Sequence, residues 1–153
     1  IKKLDNSEFI MLTPQGEPYN QKIAKELSSK NQLILLCGRY EGFDERIRLG
    51  LHPREISLGD YVLTGGELGA LCIMDSVSRH LEGFLNKEES SLNDSFSEEL
   101  EGRLEHPQYT KPQEYRGMKV PEVLLNGNHA EIAKFRHEQQ ILRTKIRRPD
   151  LME

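Results

Sequence analysis

Four times within the first 66 residues an apolar stretch runs directly into a short loop carrying glycine. Phe9-Ile10-Met11-Leu12 gives way to Thr13-Pro14-Gln15-Gly16, and Leu33-Ile34-Leu35-Leu36-Cys37 to Gly38-Arg39-Tyr40-Glu41-Gly42. Glu55-Ile56-Ser57-Leu58 then meets Gly59-Asp60, and Tyr61-Val62-Leu63 meets Thr64-Gly65-Gly66. Short apolar runs closed by turn-forming residues predict strands. The unbroken run at residues 33–37 predicts a strand covered on both faces of a parallel sheet. Helical signals fall between and after these runs. Asn20 can cap a helix with Ile23, Ala24 and Leu27 on one face. A second helix is expected from about residue 67 to 79, with Leu68, Leu71, Cys72 and Ile73 forming a broad apolar face. Alternation of this kind predicts an α/β fold.

The chain has 153 residues, enough for one cored domain or for a domain with a small companion. Hydrophobic residues make up 36% and charged residues 30%, the balance of a soluble globular protein. No apolar run approaches the roughly 20 residues of a membrane span, and no secretory signal opens the chain. Cys37 and Cys72 lack a Cys or His at metal-ligand spacing, so no metal site is expected. Their apolar neighbours predict two buried thiols in a reducing, cytoplasmic setting. The chain begins with Ile1 rather than Met, the mark expected of a fragment.

Beyond residue 83 the composition changes. Residues 83–102 are polar and acidic, and they read as a mobile connector because few apolar groups offset the entropy of ordering them. Pro107, Pro112 and Pro121 punctuate extended segments, and a terminal helix is expected from about residue 130 to 144, with Ile132, Phe135 and Leu142 near one side. The net charge of −4 does not itself favour nucleic acid. Lys134, Arg136, Arg143, Lys145, Arg147 and Arg148 nevertheless concentrate positive charge near the end, opposed there only by Glu138. Such a run is either a solvated face or a phosphate-contacting surface.

In open α/β sheets, loops at the carboxyl ends of parallel strands gather into the ligand crevice, and glycines let backbone groups approach a flat ligand. No loop carries the dinucleotide-binding or P-loop pattern. The loops and their flanks instead closely resemble the bacterial tRNA (guanine-N1)-methyltransferase family. The resemblance rests on Leu12-Thr13-Pro14-Gln15-Gly16, on the run from Cys37-Gly38-Arg39-Tyr40-Glu41-Gly42 through Phe43-Asp44-Glu45-Arg46, and on Ser57-Leu58-Gly59-Asp60-Tyr61-Val62-Leu63-Thr64-Gly65-Gly66-Glu67. It continues through Asp75-Ser76-Val77-Ser78-Arg79, Asn93-Asp94-Ser95-Phe96, His106-Pro107-Gln108-Tyr109-Thr110-Lys111-Pro112 and Leu124-Leu125-Asn126-Gly127-Asn128-His129.

The resemblance implies a SPOUT-type parallel sheet with a C-terminal trefoil knot, followed by a small, mainly helical domain, both truncated here. On that reading residues 1–84 are the methyltransferase core, 85–101 a flexible linker and 102–153 part of a tRNA-binding domain. It also implies a homodimer that methylates N1 of the guanine just 3′ of the anticodon, using S-adenosylmethionine with Mg2+ assisting. By motif, the cofactor residues would be Leu12, Pro14, Gly38, Tyr40, Glu41, Gly42, Ser57, Leu58, Gly59, Tyr61, Leu63, Gly65 and Gly66. Asp94 matches the general base and Arg79 the arginine that supports it. Position alone leaves both open: Asp94 also reads as a solvated loop carboxylate, and Arg79 as a complement to a helix dipole. Two other readings remain, a noncatalytic RNA- or partner-binding module and a related methyltransferase acting on ribosomal RNA.

Overall fold

The apolar run at residues 9–12 lies within strand β1 (Ser7–Pro18), where Ile10 and Met11 are fully buried. The structure is a computed structural model describing residues 1–85 and 93–152. β1 sits between β2 (Gln32–Leu36) and β3 (Arg54–Ser57) in a three-stranded sheet of order β2-β1-β3, and both pairings are parallel. The chain divides into two units, Ile1–Glu88 and Glu89–Glu153.

β1 does not stop at residue 12 as its turn signal suggests. Leu12 and Glu17 both pair with Ile56, so residues 13–16 are thrown out of the ladder as a bulge before pairing resumes through Pro18 and Ser57. Gly16 permits this, since a Cβ there would lie 2.4 Å from the Glu55 carbonyl carbon and the Ile56 nitrogen. β2 departs from expectation as well. It flanks β1 on one side of the sheet, and all five of its residues are half-buried rather than enclosed. Tyr61-Val62-Leu63 is an exposed loop, not a strand.

Helix α1 (Gln21–Ser28) starts where Asn20 accepts a hydrogen bond from the Ile23 N–H at 3.1 Å, and it buries Ile23, Ala24 and Leu27. Helix α2 (Glu45–Leu51) carries no apolar periodicity that predicts it and buries no residue. Local chemistry holds it instead: Asp44 accepts from the Arg46 N–H, and His52 closes the helix in a left-handed conformation at φ 46°. Helix α3 (Glu67–Ser78) ends one residue early, with Arg79 as its C-cap. Its buried residues are Gly69, Ala70, Ile73 and Val77, a tighter i, i+4 stripe than the expected face. Leu68, Leu71 and Cys72 point to solvent, so of the two cysteines Cys37 is half-buried and Cys72 exposed. The core of this unit joins Ile10, Ile56, Ile73 and Val77 to the three apolar residues of α1.

The second unit is built on α4 (His129–Arg147), longer at both ends than its apolar residues suggest. Asn128 caps it by accepting from the Ala130 and Glu131 N–H groups. Its buried positions are polar: Gln140 and Thr144 turn inward, while Leu142 is exposed. The Leu104 N–H donates to Thr144 Oγ1 at 3.2 Å, Thr144 Oγ1 donates to the Gln140 carbonyl at 2.8 Å, and Gln140 Nε2 donates to the Leu100 carbonyl at 3.3 Å. Residues 93–101 are thus a series of turns, with Leu100 bonded to α4. Residues 86–92 of the expected connector lie outside the described residues. A two-stranded hairpin, β4 (Glu114–Tyr115) with β5 (Met118–Lys119), occupies part of the proline-punctuated stretch. Arg116 and Gly117 turn it with φ of 53° and 79°, the backbone a tight two-residue hairpin demands.

Candidate functional site

The loops that leave the three parallel strands meet in one open cleft of about 270 Å³. Residues 12–15 come from the β1 bulge, 38–43 follow β2, and 57–66 follow β3 and lead into α3. All thirteen residues expected from the motifs line it: Leu12, Pro14, Gly38, Tyr40, Glu41, Gly42, Ser57, Leu58, Gly59, Tyr61, Leu63, Gly65 and Gly66.

Close backbone approach explains several of the glycines. The Gly66 N–H donates to the Gly38 carbonyl at 3.0 Å, and a Cβ at position 66 would fall 2.7 Å from Cys37 Cα. Only glycine lets the loop before α3 press against the end of β2. Arg39 and Gly65 form a single antiparallel bridge beside this contact, and the Arg39 guanidinium pairs with Glu67 at 2.8 Å. The Glu67 carboxyl is held below its usual range first by its own backbone N–H and then by Arg39. On the third loop Ser57 Oγ lies 3.3 Å from both the N–H and the carbonyl of Gly59, while the Tyr61 N–H donates back to the Gly59 carbonyl at 2.9 Å.

Charge in the cleft is asymmetric. Both arginines that line it are neutralised: Arg39 by Glu67, and Arg48 by Glu45 and by Glu55 at 2.8 Å. Glu41 is the acidic lining residue, and it has no ion-pair partner among the described residues. The cleft therefore favours a cation over an anion. Burial, and secondarily the Glu67 charge, pushes the Cys37 thiol up, which keeps it protonated and poorly nucleophilic.

Arg79 and Asp94 are placed differently. Arg79 closes α3 at the end opposite Gly66, roughly 15 Å along the helix from Gly69 in the cleft wall, and it is not a lining residue. Asp94 is half-buried in a turn of the second unit, its carbonyl accepting from the Ser97 N–H. The residues expected from the motifs leave out Thr13, Gln15, Arg39, Phe43, Arg48, Ile56, Val62, Thr64 and Gly69, which also line the cleft. Phe43 is in the cleft because its ring packs under Gly38, where a Cβ would meet it at 2.6 Å. Arg48 is oriented by carboxylates three residues before it and seven after, a spacing that carries no signal until α2 and β3 are built.

Glycine loops gathered beyond the carboxyl ends of parallel strands make this an α/β protein with its cleft where such sheets commonly receive ligands. The particular family follows from comparison: the chain belongs to the tRNA (guanine-1)-methyltransferase TrmD family, which it matches over residues 1–153. It is 56% identical over 147 residues to the tRNA (guanine-N(1)-)-methyltransferase of Geobacillus kaustophilus, covering 96% of this chain and 59% of that relative. The enzyme of the same name from Bacillus velezensis is 58% identical over 145 residues, covering 95% and 58%. That from Staphylococcus carnosus is 52% identical over 155 residues, covering 99% and 62%. The chain thus spans about three fifths of the length of these curated relatives.

Proposed function

We propose that this chain carries the cofactor site of an enzyme that methylates N1 of a tRNA guanine beside the anticodon, with S-adenosylmethionine as methyl donor. The observation that carries the reading is the assembly of thirteen motif residues, from loops far apart in sequence, around one cleft. The residues present suit the cofactor. At about 270 Å³ the cleft approaches the roughly 300 Å³ lower bound of small-molecule sites. The position of a Cβ on Gly42 is open for 4 Å, so a flat group can lie on that backbone, and half-exposed Tyr61 and Leu63 offer apolar surface. The unpaired carboxylate of Glu41, beside two neutralised arginines, matches a sulfonium cation.

Bound there, S-adenosylmethionine would supply an electrophilic methyl group. Guanine N1 carries a proton and becomes an effective nucleophile only as that proton leaves. In this reading the Asp94 carboxylate accepts the N1 proton, and the Arg79 guanidinium steadies the negative charge that develops at guanine O6. The reading keeps Mg2+ as an assisting ion; among the described residues no three His, Cys, Asp or Glu side chains are grouped to hold a metal.

The same reading extends to a SPOUT-type trefoil knot, a homodimer and a cytoplasmic setting. It treats residues 1–84 as core, 85–101 as linker and 102–153 as the tRNA-contacting part. Family membership recommends the knot, the homodimer and the setting, while the three bounds follow from the shift in composition; no helix among the described residues is long and apolar enough to cross a membrane. Calorimetric titration of the chain with S-adenosylmethionine tests the central claim. Saturable binding at one site per chain is expected, and a folded chain that takes up no cofactor overturns it.

A further inference from the structure

A second concavity, of about 410 Å³, lies wholly within the second unit, where Asn93, His106 and Gln108 face Arg136, His137 and Gln140 of α4. Its chemistry differs from that of the glycine cleft. No carboxylate and no aromatic hydrocarbon ring lines it; Leu100 and Ala133 are its apolar residues, and with the carbon stems of the polar side chains they make most of the lining surface apolar. Arg136 and His137 are exposed, and neither has an ion-pair partner among the described residues. Asn93 and Gln108 are also exposed and present carboxamide donors. His106 is fixed by its own chain, with Nδ1 3.2 Å from the Pro107 carbonyl. Gln140 is committed to the Leu100 carbonyl and sets the floor.

A concave surface with a free guanidinium, surrounding N–H donors and no acid suits an anion with several acceptor oxygens. Arginine meets a phosphate with two parallel hydrogen bonds. Without a phenyl, phenol or indole face, the groove offers little for stacking a base, the usual means of holding an unpaired nucleotide by its ring. Asn93 also adjoins Asp94 in the chain. We propose that this groove holds a backbone phosphodiester of the RNA substrate next to the target guanine, with Arg136 as its principal contact. The proposal rests on the tRNA-methylating reading and adds a positioning site that reads no base.

Two measurements on the 153-residue chain separate this proposal from the reading beneath it. In the first, the dinucleoside monophosphate GpG is titrated in while the His106 and His137 ring resonances are followed by NMR. Saturable shifts are expected, lost in Arg136→Gln and kept in Lys134→Gln, which removes a charge from the same helix outside the groove. In the second, an anticodon stem-loop RNA is bound across a salt series. Arg136→Gln should weaken binding equally for loops with and without the target guanine, and reduce the slope of log K against log salt by about 0.7, the share of one single-strand phosphate contact. Stem-loop binding with unchanged slope in Arg136→Gln, together with no imidazole shifts from GpG, overturns the groove and leaves the tRNA reading standing. Imidazole shifts from GpG without stem-loop binding uphold the groove and overturn the tRNA reading. Failure of both measurements overturns both.

Discussion

Gly59 holds a backbone conformation, φ 150°, that side chains rarely adopt, and a Cβ there would lie 2.7 Å from the Tyr61 ring. Gly59→Val would therefore displace that ring from its place in the cleft wall and strain the turn tied to Ser57. The expected outcome is a chain with unchanged circular dichroism and no calorimetric binding of S-adenosylmethionine. Undiminished affinity would remove the ligand from this cleft. Asp94→Asn keeps size and hydrogen bonding but cannot accept the guanine proton. Single-turnover methyl transfer to tRNA should slow by about 100- to 10,000-fold with cofactor affinity retained, and an unchanged rate would strip Asp94 of its role. Residues such as Gly59 were legible only through their motif. The glycine itself says "turn", and the clash that makes it necessary comes from a tyrosine two positions on, folded back over it. Arg48 had no such motif, and its place depends on Glu55, which β3 delivers.

Among the elements, those defined by their own residues could be read and those defined by neighbours could not. α1 announces itself through Asn20 and the Ile23, Ala24, Leu27 spacing, all satisfied within nine residues. The bulge in β1 depends on the backbone of β3 some forty residues later, so its Thr13-Pro14-Gln15-Gly16 run resembles an ordinary strand end. α4 misled in the opposite sense, because its inward side is polar. Thr144 there is fully buried and satisfied by the Leu104 N–H and the Gln140 carbonyl. Thr144→Val preserves shape but strands the Leu104 N–H away from water, at a cost of about 1–3 kcal/mol. A lowered denaturation midpoint is expected, with the Leu104 amide losing protection from hydrogen exchange. Wild-type protection in the variant would show that this bond does not secure the segment to α4.

For the molecule as a whole, the exposed side of α3 is the outstanding surface. Leu68, Leu71 and Met74 are 60%, 57% and 54% exposed on one helix whose other side is in the core. An exposed apolar stripe of this sort is well suited to a two-fold contact between copies, the commonest form of assembly. In the proposed homodimer that stripe is covered. Sedimentation of the chain at micromolar concentration should give a dimer, and Leu71→Asp, at a position that is not buried, a folded monomer. A monomeric unmutated chain, or a dimer indifferent to Leu71→Asp, would place assembly elsewhere or exclude it for this chain.

The bulge at residues 13–16 limits how this family member can vary. Leu12 and Glu17 share one partner, Ile56, and Pro18 then faces Ser57. Immediately afterwards the Tyr19 N–H donates to the Ser57 carbonyl at 2.8 Å, and the Tyr19 hydroxyl lies 2.6 Å from Ser76 Oγ on α3. Adding or removing one residue in the bulge would displace Glu17 and Pro18 by one place along β3, exchanging the faces to which their side chains point. It would also carry Tyr19 away from Ser76. Substitutions at Thr13 and Gln15 disturb nothing beyond the cleft wall, whereas a change of length reaches across the sheet to α3. The segment is a ruler: its lettering can be rewritten, but its length cannot.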